Sequence, residues 1–177
     1  MLVERIWTGN AYRNYNYLIA CPETGEALAI YPLDHEKCLH TARVRGWQIT
    51  QLLNTHEHAD HTGGNAAVVA ANGAKVIAHH KAGGRISGVD RGVQAGDVIK
   101  VGKTVELECL DTPGHTMCHI CLFAHAEQPA QEHAHNTFFR LDNASIIAGL
   151  HAAVPELPAQ PDAETVFRTL RELRNKW

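Results

Sequence analysis

Short apolar runs separated by turn residues dominate the first two thirds of the chain. Residues 16–20 (Asn-Tyr-Leu-Ile-Ala) and 27–31 (Ala-Leu-Ala-Ile-Tyr) flank a segment with Pro22 and Gly25 in turn positions, which predicts strand, turn, strand. Residues 34–46 predict a helix, with Asp34 as N-cap, Cys38, Leu39 and Ala42 on one side, and Gly46 as the stop. An apolar strand follows over 48–54. An Ala/Val-rich buried helix over 64–72 is closed by Asn72 and Gly73. Residues 75–78 read as a strand, 98–110 as two more around Gly102 and Lys103, and 119–124 as another. Residues 126–137 are polar and histidine-rich, and 151–161 hold Pro155, Pro158 and Pro161. The stripe Val166, Leu170, Leu173 predicts an amphipathic helix from Asp162 to about Arg174. Strands that pair as hairpins and then alternate with helices predict a layered α/β fold with substantial sheet.

Composition narrows the class. A length of 177 residues suits one domain over 1–177, and 45% hydrophobic with 20% charged residues excludes disorder and collagen-like repeats. Net charge is −3, from 16 basic and 19 acidic residues, and no Lys/Arg run stands out, so nucleic acid is not an expected partner. No apolar stretch approaches the ~20 residues that span a bilayer, so no membrane association is expected. The first residues lack a basic leader followed by an apolar core, and the 5 cysteines read as reduced thiols. Together these predict a cytoplasmic, soluble enzyme-sized domain. The 13 histidines change the picture most, because histidine is both the commonest metal ligand and the base of neutral pH.

Their arrangement is concentrated in Thr55-His56-Glu57-His58-Ala59-Asp60-His61-Thr62-Gly63-Gly64, at the junction of an expected strand and an expected helix. Three imidazoles and one carboxylate within six residues cannot all be core residues of a strand or a helix. On a loop at a strand's C-terminal end they can converge on one point, where open α/β sheets place their chemistry. Gly63 and Gly64 are expected to let the backbone turn sharply into the helix. A solvated surface loop has no need of a His-x-His-x-Asp-His order.

That order resembles the signature of the metallo-β-lactamase superfamily. The resemblance extends to Asp111-Thr112-Pro113-Gly114-His115-Thr116, similar to the family's second metal-ligand loop, and covers about 16–121. Within the family, the Thr-His-x-His-x-Asp-His-x-Gly-Gly run and the Thr-Pro-Gly-His-Thr loop look most like glyoxalase II, the hydroxyacylglutathione hydrolases. The resemblance implies an α/β (α+β) fold, a metallo-β-lactamase-like αββα sandwich, C-terminally truncated here. It implies that His56, His58 and His115 bind a first metal ion, and Asp60 and His61 a second. The expected cofactor is Zn2+, one or two ions, with iron or manganese as alternatives. The expected reaction is thioester hydrolysis of the S-lactoylglutathione type by a metal-bound hydroxide that Asp60 helps to orient. A lactone or other small-molecule ester on the same site, or a metal-binding relative without efficient catalysis, are the other readings.

The last third departs from the family pattern. The family's bridging aspartate sits in a Gly-Asp-Thr-Leu-Phe-like run, and Phe139-Arg140-Leu141-Asp142-Asn143 offers Asp142 as its counterpart. The family's final Gly-His ligand has no match, and His133, His135 and His151 are the available substitutes. Tyr31 stands where the family usually has an aspartate supporting the metal loop, so weaker support is expected. Cys118-His119-Ile120-Cys121 has C-x-x-C spacing but lies on an expected strand, whose alternation sends the two thiols to opposite faces. His79 and His80 suit a pocket rim or a satisfied core, and Tyr12, Tyr15 and Tyr17 either wall a groove or simply pack.

Overall fold

Strand β2 (Tyr15–Ala20) pairs antiparallel with β1 (Leu2–Trp7) on one side and β3 (Glu26–Ile30) on the other. The computed structural model describes residues 1–124 and 144–174, in two compact units, Met1–Glu127 and Gln128–Trp177. The one-domain reading stays an expectation for the chain as a whole.

In the first unit, helix α1 (His35–Arg45) carries the chain from β3 to β4 (Gln48–Asn54), its parallel neighbour. Its ends are those the sequence predicts. The Asp34 side chain accepts from the Lys37 N–H at 3.1 Å, and Gly46 takes the left-handed conformation (φ 70°) that closes a helix. After β4 come a four-residue helix α2 (Ala59–Thr62) and α3 (Asn65–Asn72), then β5 (Lys75–His79), parallel to β4. A 3-10 turn (His80–Ala82) leads to β6 (Arg91–Val93), parallel to β5. The six strands form one sheet in chain order, and β7 (Val98–Val101), β8 (Val105–Asp111) and β9 (Ile120–Phe123) form a second, antiparallel sheet.

Period-two alternation builds both faces of the large sheet. Leu18, Ala20, Ala27, Ala29, Leu52, Val76 and Ala78 form one cluster with Cys38 and Ala42 of α1 and Val68 of α3. The intervening Ile19, Cys21, Leu28, Leu53 and Ile77 join Ile99, Val101, Leu107, Cys109 and Ile120 of the second sheet in another. The order is therefore helix, sheet, sheet. Strands covered on both faces read as nearly continuous apolar runs, which is why β2 to β5 are visible in the sequence. Each buried Leu, Ile or Val side chain contributes about 1.5–3 kcal/mol. Strands β1 and β6 escape the sequence reading because β1 buries only Ile6 and β6 is three residues long.

The second unit holds helices α4 (Ala144–Ala153) and α5 (Ala163–Arg174), with Leu150, Leu157 and Val166 buried and Ile146, Ile147, Leu170 and Leu173 packed against them. The expected amphipathic stripe on α5 is thus its packing face, and the helix at α4 was not expected. Asp142, His133 and His135 lie outside the described residues. Among the described residues, no helix is long and apolar enough to cross a membrane.

One buried polar side chain ties the sheet to the helix layer. Asn16, with no exposed surface, donates to the Tyr31 carbonyl and accepts from the Asp34 N–H at 3.0 Å and the Cys38 thiol at 3.6 Å. Asn16→Ala leaves these groups unpaired in the core and should cost about 1–3 kcal/mol for each that water cannot reach. A urea midpoint lowered at unchanged slope is the expected readout.

Candidate metal centre

Strand β4 ends at Asn54, and the chain leaves the sheet over 55–58. Two buried asparagines close this excursion. Asn54 donates to the His61 carbonyl at 3.3 Å and exchanges bonds with Asn65 at 2.6 and 3.3 Å. The loop after β8 is fixed by its own backbone. Thr112 N–H donates to the His119 carbonyl at 2.9 Å and Gly114 N–H to the Thr116 carbonyl at 3.1 Å. The two loops meet where the Ile120 N–H donates to the Thr55 carbonyl at 3.0 Å.

At this junction three imidazoles converge. The ligand atoms of His56, His58 and His115 all lie within 4.8 Å of one another. Their ring centroids are 4.7–4.8 Å apart and their planes near perpendicular, at 83–86°. His58 Nδ1 and His115 Nε2 are 3.1 Å apart. His56 is 4% exposed. Its Nδ1 faces the Thr55 hydroxyl at 3.2 Å and the Tyr31 hydroxyl at 3.4 Å, while its buried Nε2 has no hydrogen-bond partner among the described residues.

A metal ion fits this arrangement. A buried nitrogen without a partner is costly unless something completes it. Two nitrogens each ~2.0–2.1 Å from one tetrahedral zinc ion stand roughly 3.3–3.4 Å apart, close to the His58–His115 separation. Burial, reinforced by His61, His115, His119 and His58, depresses the His56 imidazolium to about 4, so its ring is neutral and its lone pair free at neutral pH.

Asp60 and His61 stand beside this trio and outside the set of three. His61 packs its ring 4.5 Å from His56 and 4.4 Å from Tyr31, and its Nδ1 is buried without a partner among the described residues. Burial lowers its pKa despite the opposing Asp60 carboxylate, whose Oδ2 lies 3.6 Å from His61 Nε2. Asn14, 46 residues away, donates to both the carbonyl and the carboxylate of Asp60, at 3.0 and 3.1 Å, and this bond chiefly holds Asp60 below the usual carboxylate range.

Asn14 carries no local signal in the sequence, whereas Thr55 and Thr112 fall inside the two motif runs without a role read for them there. Tyr31, where weaker support than the family's aspartate is expected, places its hydroxyl 3.4 Å from His56 Nδ1. Its backbone is left-handed (φ 53°), and its ring sits edge-on to His56 at 5.6 Å. His119, expected within a strand, precedes β9 and packs 5.4 Å from the His56 ring. Cys118 is likewise outside β9, buried near the Arg85 guanidinium (3.6 Å), while Cys121 is exposed. His79 is a satisfied core residue: its Nδ1 accepts from the Lys81 N–H, and its Nε2 is 3.6 Å from Asp111. Tyr15 packs on Trp7 at 4.9 Å.

The sequence profile described as the metallo-beta-lactamase superfamily matches residues 20–128. The chain belongs to the metallo-β-lactamase superfamily. The hydroxyacylglutathione hydrolases of Polaromonas sp. and Nitrosococcus oceani are 53% and 43% identical to it, each alignment spanning all of both chains over 263 positions. Those 263 positions exceed the 177 residues of this superfamily member by 86. Among solved structures, ETHE1 from Myxococcus xanthus is 27% identical with a TM-score of 0.63, covering 70% of this chain and 54% of its own. A metallo-β-lactamase from Staphylococcus aureus is 29% identical with a TM-score of 0.63, covering 72% of this chain and 39% of its own. The metallo-β-lactamase fold expected from the motif is the fold observed.

The His56 environment gives a pH dependence. The unfolded imidazole takes up a proton at its ordinary 6.5, the folded one only near 4. Above 6.5 the ring is neutral in both states. Between these values the unfolded state alone binds the proton, so stability of the chelator-treated protein should fall as pH is lowered from about 6.5 to about 4. In His56→Asn, urea midpoints over that range should fall less steeply, and an equal slope would place the loss elsewhere.

Proposed function

We propose that this chain hydrolyses hydroxyacylglutathione thioesters of the S-lactoylglutathione type, with zinc as the resident metal. The observation that carries the reading is the buried His56 Nε2, without a partner among the described residues, in a cluster with His58 and His115, in a chain whose relatives bear that enzyme's name. His56, His58 and His115 would hold a first ion, Asp60 and His61 a second, with Asp142 as bridging ligand. Iron or manganese suit the same donors, so supply and geometry decide the metal. A bound ion supplies Lewis-acid polarisation of the thioester carbonyl and a more acidic water.

The protein's own groups do the rest. Asp60, kept ionised by Asn14, orients the attacking water and accepts its hydrogen bond. Water adds to the carbonyl carbon as its proton passes through Asp60 to solvent, the carbon–sulfur bond breaks, and the thiolate leaves with little help from an acid, so no separate proton donor is required. Tyr31 and Thr55 hold the His56 ring so that its Nε2 points inward. The substrate is a small molecule, and neither nucleic acid nor a membrane is expected as partner. An odd count of five cysteines spread along the chain favours a reducing, cytoplasmic setting.

The 86 surplus positions in the relatives' alignment favour a second reading, a metal-binding member with weak turnover. One sample separates the two. Metal content is measured by elemental analysis on protein purified without chelator, and S-lactoylglutathione turnover is followed in parallel. Turnover that chelation removes and zinc restores is the expected result. Bound metal with no turnover after zinc addition overturns the hydrolase in favour of the second reading.

A further inference from the structure

The imidazoles come from two loops 57 residues apart in sequence, between His58 and His115, so something must fix the spacing of those loops. A side-chain bridge spans them. The Thr55 hydroxyl lies 3.2 Å from His56 Nδ1 and 3.3 Å from His119 Nε2, and His119 Nδ1 lies 2.7 Å from the Thr112 hydroxyl. We propose that His119 is a positioning residue that sets the separation of the two metal-binding loops and fixes the tautomer of His56. The inference rests on the reading that the three imidazoles hold an ion.

The bridge has a self-consistent set of protons when His56 offers Nε2 to the ion. His56 Nδ1–H donates to Thr55 Oγ1, whose own hydrogen goes to His119 Nε2. His119 is then protonated on Nδ1 and donates to Thr112. Each hydroxyl accepts one bond from an imidazole, and His119 supplies one acceptor and one donor, as a neutral imidazole of this tautomer does. The backbone places it there. The peptide that follows it is held on both edges, its carbonyl accepting from the Thr112 N–H and its N–H, that of Ile120, donating to the Thr55 carbonyl. His119 contributes no ligand atom to the trio. Groups that orient metal-bound histidines in this way commonly change metal affinity 10–100-fold when removed.

The test is zinc affinity by competition with a chromophoric chelator, read together with the visible spectrum of the cobalt-loaded protein. His119→Phe keeps the ring volume and removes both nitrogens, and should weaken zinc about 10–100-fold and alter the cobalt band at saturation. His119→Gln restores an acceptor and a donor and should recover part of the loss. Thr55→Val, nearly isosteric, should weaken zinc similarly, and the double variant should lose no more than the larger single change, because both cut one path. Should His119→Phe fail to fold, Thr55→Val and His119→Gln carry the test. Unchanged affinity and spectrum in the folded variants, or strictly additive losses, would overturn the bridge alone. Failure of the unaltered protein to bind zinc would overturn the metal reading and the bridge with it.

Discussion

His58→Ala should reduce zinc affinity about 100-fold or more and take S-lactoylglutathione turnover below detection at trace zinc. The size follows from the donor set. Zinc bound by four protein ligands is worth about 10–16 kcal/mol, so one ligand accounts for roughly 3 kcal/mol, or about two decades. His58 is the informative choice because it lies exposed on the outer side of the trio, so its loss leaves the core untouched. The metal-free variant should therefore unfold at the same urea concentration as metal-free wild type. Added zinc should raise the wild-type midpoint and leave the variant's nearly in place at the same concentration. Equal zinc stabilisation of the two proteins would remove His58 from the ligand set.

Gly64→Ala should be among the most damaging single methyl additions at the described glycines. A Cβ at Gly64 would overlap the Pro32 carbonyl oxygen and come within 2.8 Å of its carbon and 2.9 Å of the Leu33 oxygen, all backbone atoms that cannot swing aside. The backbone angles at Gly64 are right-handed helical, so the glycine is required by the approach of two chain segments, and the sharp turn read from the sequence is not the reason for it. The neighbour provides the control. A Cβ at Gly63 meets the Leu33 side chain at 3.2 Å and the Ala59 oxygen at 3.4 Å, contacts a leucine rotamer can relieve. Gly64→Ala is expected to destabilise by more than about 4 kcal/mol, a large fraction of a typical domain's total, and Gly63→Ala by about 1 kcal/mol or less. Similar denaturation midpoints for both would mean that Pro32 yields more readily than its packing suggests.

What the sequence revealed and what it hid divide along physical lines. The caps of α1, the buried strands β2 to β5 and the His56–His61 motif are local patterns, each decided by residues a few positions apart. Thr112-Pro113-Gly114-His115 is a local pattern too, and its pairing with that motif comes from the family resemblance. Asn14 and His119 carry no such pattern, because each acts on the centre through a partner 46 to 64 residues away. Edge strand β1 hides for a different reason: with one face open to solvent and Leu2, Val3 and Trp7 exposed, its alternation is blurred. The Ala/Ile run of α4 is short enough that periodicity alone does not tell helix from strand.

The placement of the thiols makes the molecule its own gauge of opening. Cys21 and Cys109 lie between the two sheets, Cys38 and Cys118 on the helix side of the large sheet, and Cys121 alone is exposed. A thiol reagent applied to the native protein should therefore mark one position at once. The remaining four become reactive only as the layer that seals them parts, so peptide-resolved labelling would time the separation of the sheets and the departure of the helices as two independent clocks.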